Sequence, residues 1–167
     1  MVDVVRGVGH TISAGFTRPA NTTAYAAGDV VSNSTSAPAI MAFNGAAKER
    51  GAMGIINHAV LIDSESVATK PDLELWLLDT TITMDNDNAA FTPTDVELLT
   101  LVGVIPFPTG NFKVGTASGN SMCQADNLGL PFNASFSENT LYGVLVVRNA
   151  YVPVSGETFT IRLKCLD

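Results

Sequence analysis

Glu157-Thr158-Phe159-Thr160-Ile161-Arg162-Leu163-Lys164-Cys165 is the stretch that decides the fold. Phe159, Ile161, Leu163 and Cys165 alternate with Thr158, Thr160, Arg162 and Lys164. A period of two sets one face of a strand on a core and the other in water. A helix, with a period of 3.6, cannot gather those four apolar residues on one side. Leu141-Tyr142-Gly143-Val144-Leu145-Val146-Val147-Arg148 is apolar at both parities, so it reads as a central strand covered on both faces. Tyr151-Val152-Pro153-Val154-Ser155-Gly156 lies between the two and reads as the loop of a hairpin joining them.

The rest of the chain follows the same pattern, with turn residues at short intervals and Val, Ile, Thr and Phe between them. Residues 52–63 and 73–79 read as two strands that pair antiparallel across the polar stretch 64–71. Residues 101–107, 7–18 and 29–32 supply further strands, for about eight in all. Residues 33–37 and 118–124 are the most loop-like. One short helix is expected near 93–100. Thr92 would be its N-cap, Pro93 its first residue, Asp95 and Glu97 would sit at its positive end, and Leu98 and Leu99 would face inward. The expectation is an all-β fold, a single β-sandwich domain over residues 1–167 in the form of a jelly roll.

At 167 residues and 17.5 kDa the chain is long enough for one core. Folding would leave about 7,900 Å² of some 25,400 Å² accessible, so neither metal nor disulfide is needed for stability. Hydrophobic residues make up 46% and charged residues only 15%, which excludes intrinsic disorder and suggests that an assembly hides part of the surface. The net charge of −7 and the lack of a Lys/Arg cluster argue against nucleic acid as a partner. No apolar run approaches the roughly 20 residues of a membrane helix, and no secretory signal opens the chain. Cytoplasmic synthesis without membrane association is therefore expected.

Candidate chemistry is sparse. His10 and His58 lack metal-ligand spacing, and no GxSxG elbow accompanies a serine. Gly7-Val8-Gly9 and residues 115–119 do not match a phosphate-cradling loop. Asp85-Asn86-Asp87-Asn88 offers oxygen ligands of the kind calcium takes, but Ala90 and Val96 stand where an EF-hand needs Gly and Glu. A polar turn is the plainer reading, with a calcium site as the alternative. Cys165 reads as a small buried hydrophobe, and a disulfide with Cys123 stays open. Trp76 reads as a core or interface aromatic, with a sugar-stacking platform as the alternative. The expectation is no catalytic, cofactor-binding or metal-binding residue, and no cofactor.

Phe16-Thr17-Arg18-Pro19-Ala20-Asn21-Thr22-Thr23-Ala24-Tyr25-Ala26-Ala27-Gly28-Asp29-Val30-Val31 resembles a segment of small structural proteins of tailed-bacteriophage virions. Residues 73–80 and 87–95 look like later blocks of the same family, and the blocks together span about residues 16–105. Within that group the resemblance is nearest to jelly-roll capsid cement (decoration) proteins. It implies a non-enzymatic virion protein on the outer capsid surface, made in the host cytoplasm. Its partners would be the major capsid protein and further copies of itself, as a trimer, with neither nucleic acid nor membrane bound. The alternative is a head-fibre or tail receptor-binding module. Val2, Val4 and Val5 around Asp3 suggest an N-terminal arm at 1–6 that adds a strand to a neighbour, or else an ordinary first edge strand.

Overall fold

A computed structural model of the chain describes residues 9–115 and 119–167. Its strands are β1 (Gly9–Thr17), β2 (Val30–Val31), β3 (Met41–Phe43), β4 (Met53–Asp63), β5 (Leu73–Leu78) and β6 (Leu101–Phe107). They continue with β7 (Lys113–Val114), β8 (Ser121–Ala125), β9 (Leu130–Asn133), β10 (Leu141–Val147) and β11 (Thr158–Leu166). One α-helix, α1 (Asp95–Leu98), lies between β5 and β6. The expected N-terminal arm at 1–6 lies outside the described residues.

The strands form two antiparallel sheets. One runs β1-β11-β4-β8-β7 with β9 also on β4, and the other runs β2-β10-β5-β6 with β3 also on β10. Without the short β3, β7 and β9, the two sheets read 1-8-3-6 and 2-7-4-5 in chain order. That is the jelly roll, an all-β sandwich. The described residues form eleven strands where about eight were expected; β3, β7 and β9, two to four residues long, are too short to show a period.

This topology overturns two expected pairings. Strands β4 and β5 are not neighbours: β4 pairs with β11, β8 and β9, and β5 with β10 and β6. Ala59 and Leu61 of β4 and Leu73, Leu75 and Leu77 of β5 instead share the core, so these strands meet face to face. Likewise β10 and β11 form no hairpin, because residues 148–157 carry the chain from one sheet to the other. A third expectation, of a loop over 118–124, fails at residues 121–124, which belong to β8. Ser121 takes an inward position that an apolar residue would normally fill, and its hydroxyl donates to Asp63, so the alternation is masked.

The deciding strand behaves as read. Phe159, Ile161, Leu163 and Cys165 of β11 are fully buried, and Arg162 and Lys164 are exposed. Strand β10 is covered on both faces. Leu141, Leu145 and Val147 join the main core, while Val144 and Val146 lie with Val30 and Leu78 in a second cluster beneath Trp76, Ile82, Met84 and Phe91. Residues 79–92 therefore lie over the outer face of the second sheet.

The helix is shorter than expected and capped two residues later. Thr94 is the N-cap, and its hydroxyl accepts from Glu97 N while the Glu97 carboxylate accepts from Thr94 N, a capping box. Thr92 instead donates from N and Oγ1 to the Asp85 carboxylate, at 2.8 and 3.0 Å. Leu98 and Leu99 do not face inward: Leu99 is 84% exposed. Four residues make a single turn, which leaves no inward face to lay on a sheet.

Gly143 of β10 sits where a Cβ would stand 2.8 Å from Phe43 and 2.9 Å from Leu75, both fully buried. Gly143→Ala is expected to cost about 1–3 kcal/mol by overpacking, read as a lower urea midpoint at unchanged m-value. An unchanged midpoint would refute this account of the core.

Candidate functional site

The densest polar chemistry is buried at the end of the sandwich where the chain leaves β1, β4 and β10. Arg18, immediately after β1, is buried to 2% exposure, and its Nη2 lies 3.1 Å from Oδ2 of the equally buried Asp87. Its Nε donates to the Tyr25 hydroxyl, which in turn donates to Asp87 Oδ1 at 2.6 Å. Asp87 Oδ1 also accepts from Ser32 N at 3.0 Å, and Arg18 Nη1 donates to Val154 O at 3.3 Å. Burial, followed by the bond to Asp87, raises the Tyr25 pKa, so the hydroxyl stays a donor.

A second set adjoins the first. The Tyr25 and Tyr151 rings stack with centroids 6.0 Å apart, and the Tyr151 hydroxyl donates to Glu157. Glu157 and Asp63 are both fully buried. Asp63 accepts from Glu65 N at 2.8 Å and from Ser121 Oγ at 3.1 Å. Burial pushes the Glu157 carboxyl up to about 8, with the Tyr151 hydroxyl pulling it down and the neighbouring Asp63 adding to the rise. Asp63 is raised too, chiefly by burial. Two acids that close together in a dry site favour holding a proton between them.

These groups are enclosed, so they hold the fold rather than meet a substrate. Sequence reading singled out only Asp87 among the charged members, and for another role. The signal that marks them is a lone charge in an apolar setting, as with Asp63 at the end of β4.

The residues singled out earlier are dispersed. His10 Nε2 lies 2.9 Å from Gly45 O, while His58 Nδ1 lies 2.5 Å from Oδ1 of Asp126, just past the end of β8. Cys123 and Cys165 are buried free thiols, each pushed up to about 11 by burial. Residues 86–89 form a turn closed by Ala89 N donating to Asn86 O; Asp87 is spent on Arg18, Asp85 before the turn on Thr92, and Asn88 takes φ 62° while donating to Thr23 O and Ala24 O. No three His, Cys, Asp or Glu gather in a metal-binding arrangement among the described residues. Trp76 meets Phe91 edge-on, donates from Nε1 to Glu74, and lies beneath the Arg148 guanidinium. Its ring is thus engaged within the chain. Tyr142 is half-buried and donates to Glu138.

Charge is divided unevenly along the chain and between its faces, with Asp87 alone of the following acids buried in an ion pair. Residues 71–112 hold Asp72, Glu74, Asp79, Asp85, Asp87, Asp95 and Glu97 and no lysine or arginine. That stretch contributes −7, equal to the net charge of the chain. The outer face of the first sheet carries exposed Arg162 and Lys164 on β11 and Lys113 on β7. Beside Arg162 and Lys113 a groove of about 590 Å³ is lined by Val60, Ile62, Val114 and Met122.

No protein family and no curated protein matches this chain. Among solved structures it is similar to a chain of the acid-stable capsid of Helicobacter pylori bacteriophage KHP30, at 12% identity over 98% of this chain and 90% of that one, with a TM-score of 0.38. It is also similar to a chain of the cyanophage Pam1 capsid asymmetric unit, at 14% identity over 99% and 89%, again with a TM-score of 0.38. At that distance neither says what this chain does.

The Glu157 proton has a consequence for stability. Between the ordinary glutamate range and about 8, the folded chain keeps a proton that the unfolded chain has released. Stability therefore falls as pH rises through that window, by at most about 1.4 kcal/mol per unit for one proton. Thermal melts from pH 5 to 8 should show a declining Tm, and Glu157→Gln should flatten the decline. Equal slopes in the two proteins would refute the assignment.

Proposed function

We propose that this chain is a non-enzymatic structural protein of a tailed-bacteriophage virion, a single-domain decoration protein that binds the outer capsid surface as an oligomer, a trimer, and cements the head. The observation that carries the reading is where the resembling blocks lie. Arg18 and Tyr25 come from the first block and Asp87 from the third, and they meet in one buried hydrogen-bonded set. The middle block is β5, whose Leu73, Leu75 and Leu77 lie in the core. The blocks are therefore parts of one scaffold, which supports the resemblance as a whole.

The mechanism is mass action. Many copies that bind only the mature capsid lattice lower its free energy relative to the ruptured shell. The acidic character suits a protein outside a DNA-filled shell, since it neither needs nor favours phosphate contact. Low charge content suits a chain that buries surface against neighbours. Trp76 is not a free stacking platform, so nothing specific favours the glycan-binding alternative.

Quantitative mass spectrometry of purified virions should find this chain near one copy per major capsid subunit. Particles lacking it should release DNA at a lower temperature. A few dozen copies would make it a fibre or tail component, and absence from the particle or unchanged heat resistance would overturn the reading.

A further inference from the structure

Among the described residues, the groove on the outer face of the first sheet has no occupant. Val60, Ile62 and Met122 are half-buried around it, Val114 is 51% exposed, and Arg162 and Lys113 stand at its rim. Neither cation has a carboxylate partner within 4.0 Å among the described residues. The nearby acid of that face, Asp126, is held by His58 and Gln124. An apolar segment that carries a carboxylate would complement both the floor and the rim.

The chain carries such a segment elsewhere. Helix α1 and its C-cap expose Val96 at 73% and Leu99 at 84%, with the exposed carboxylate of Asp95 beside them. Glu97 spends its oxygens on Thr94 and Thr83, which keeps the turn rigid and leaves Asp95 as the free acid. The segment cannot reach its own groove. Residue Asp79, which bonds to Thr100 beside α1, lines a recess with Met53 at the start of β4, whereas the groove lies by Ile62 near that strand's other end, about 30 Å away. The two also belong to opposite sheets.

We propose that copies of this chain associate head to tail, the Asp95–Leu99 turn of one copy seated in the Arg162 groove of the next. Val96 and Leu99 fill the apolar floor, and Asp95 faces Arg162 and Lys113. Because the joined surfaces differ, the contact is heterologous and closes into a ring where its rotation allows. The proposal deepens the reading above by naming the contact that builds the oligomer.

Sedimentation velocity of the full chain tests it over a dilution series at 0.1 M and 0.5 M salt. Self-association should weaken at high salt, as exposed charge pairs do. Leu99→Asp and Arg162→Glu should each raise the dissociation constant at least about tenfold, with circular dichroism and melting unchanged. Asp95→Arg combined with Arg162→Glu in one chain should recover most of the loss. Monomer at every concentration overturns the proposal, as does an oligomer indifferent to both single variants. Binding to decoration-free heads, measured separately, distinguishes the two claims. Self-association without head binding overturns the virion reading alone, and a monomer whose Arg162→Glu variant loses head binding assigns the groove to the capsid instead.

Discussion

Arg18 and Asp87, 3.1 Å apart and closed off from water, are the constraint on which the rest of the sandwich depends. A buried ion pair adds little net stability, but removing either partner strands the other charge at a cost of about 3–5 kcal/mol. The pair therefore acts as a specifier of position. Arg18 follows β1, Asp87 comes from the segment over the second sheet, and Tyr25 lies on the way to β2. Through the stacked Tyr25 and Tyr151 rings the set continues to Glu157, immediately before β11, and Asp63, the last residue of β4. Three sheet-to-sheet crossings, β1 to β2, β4 to β5 and β10 to β11, are thus tied at one end of the molecule.

That tie explains the difference between the two outer faces. Residues 79–92 must reach the interior so that Asp87 can meet Arg18, and on the way they cover the second sheet with Ile82, Met84 and Phe91. The covering segment falls within the stretch that holds the chain's excess carboxylates. Among the described residues the first sheet has no such cover, and Arg162 and Lys164 on its outer face are exposed. One side of the sandwich is acidic and layered, the other basic and grooved.

Much of the fold was legible in the residues, because strand periodicity is local. The β11 alternation and the two-faced character of β10 follow from side-chain order alone. Pairing was less legible. Residues 52–63 and 73–79 look like hairpin partners because they are close in sequence, yet their apolar faces meet across the core. The polar node was nearly invisible, since Arg18, Asp63, Asp87 and Glu157 are far apart in the chain and each looks like an ordinary surface charge. The helix shows the same limit at short range: Thr94 and Thr92 are both acceptable caps, and the reach of Asp85 to Thr92 decided between them.

What the sequence determined by itself was an all-β chain with a core of alternating strands, because a side chain's parity along a strand needs no partner to define it. What only the tertiary structure decided was which faces oppose, which charges are buried together and which apolar residues stay outside. Leu98 and Leu99 read as inward-facing and lie exposed at 36% and 84%, while Glu157, a charge, lies at 0% exposure. Burial is a property of what arrives from elsewhere in the chain, and no stretch of residues encodes that on its own.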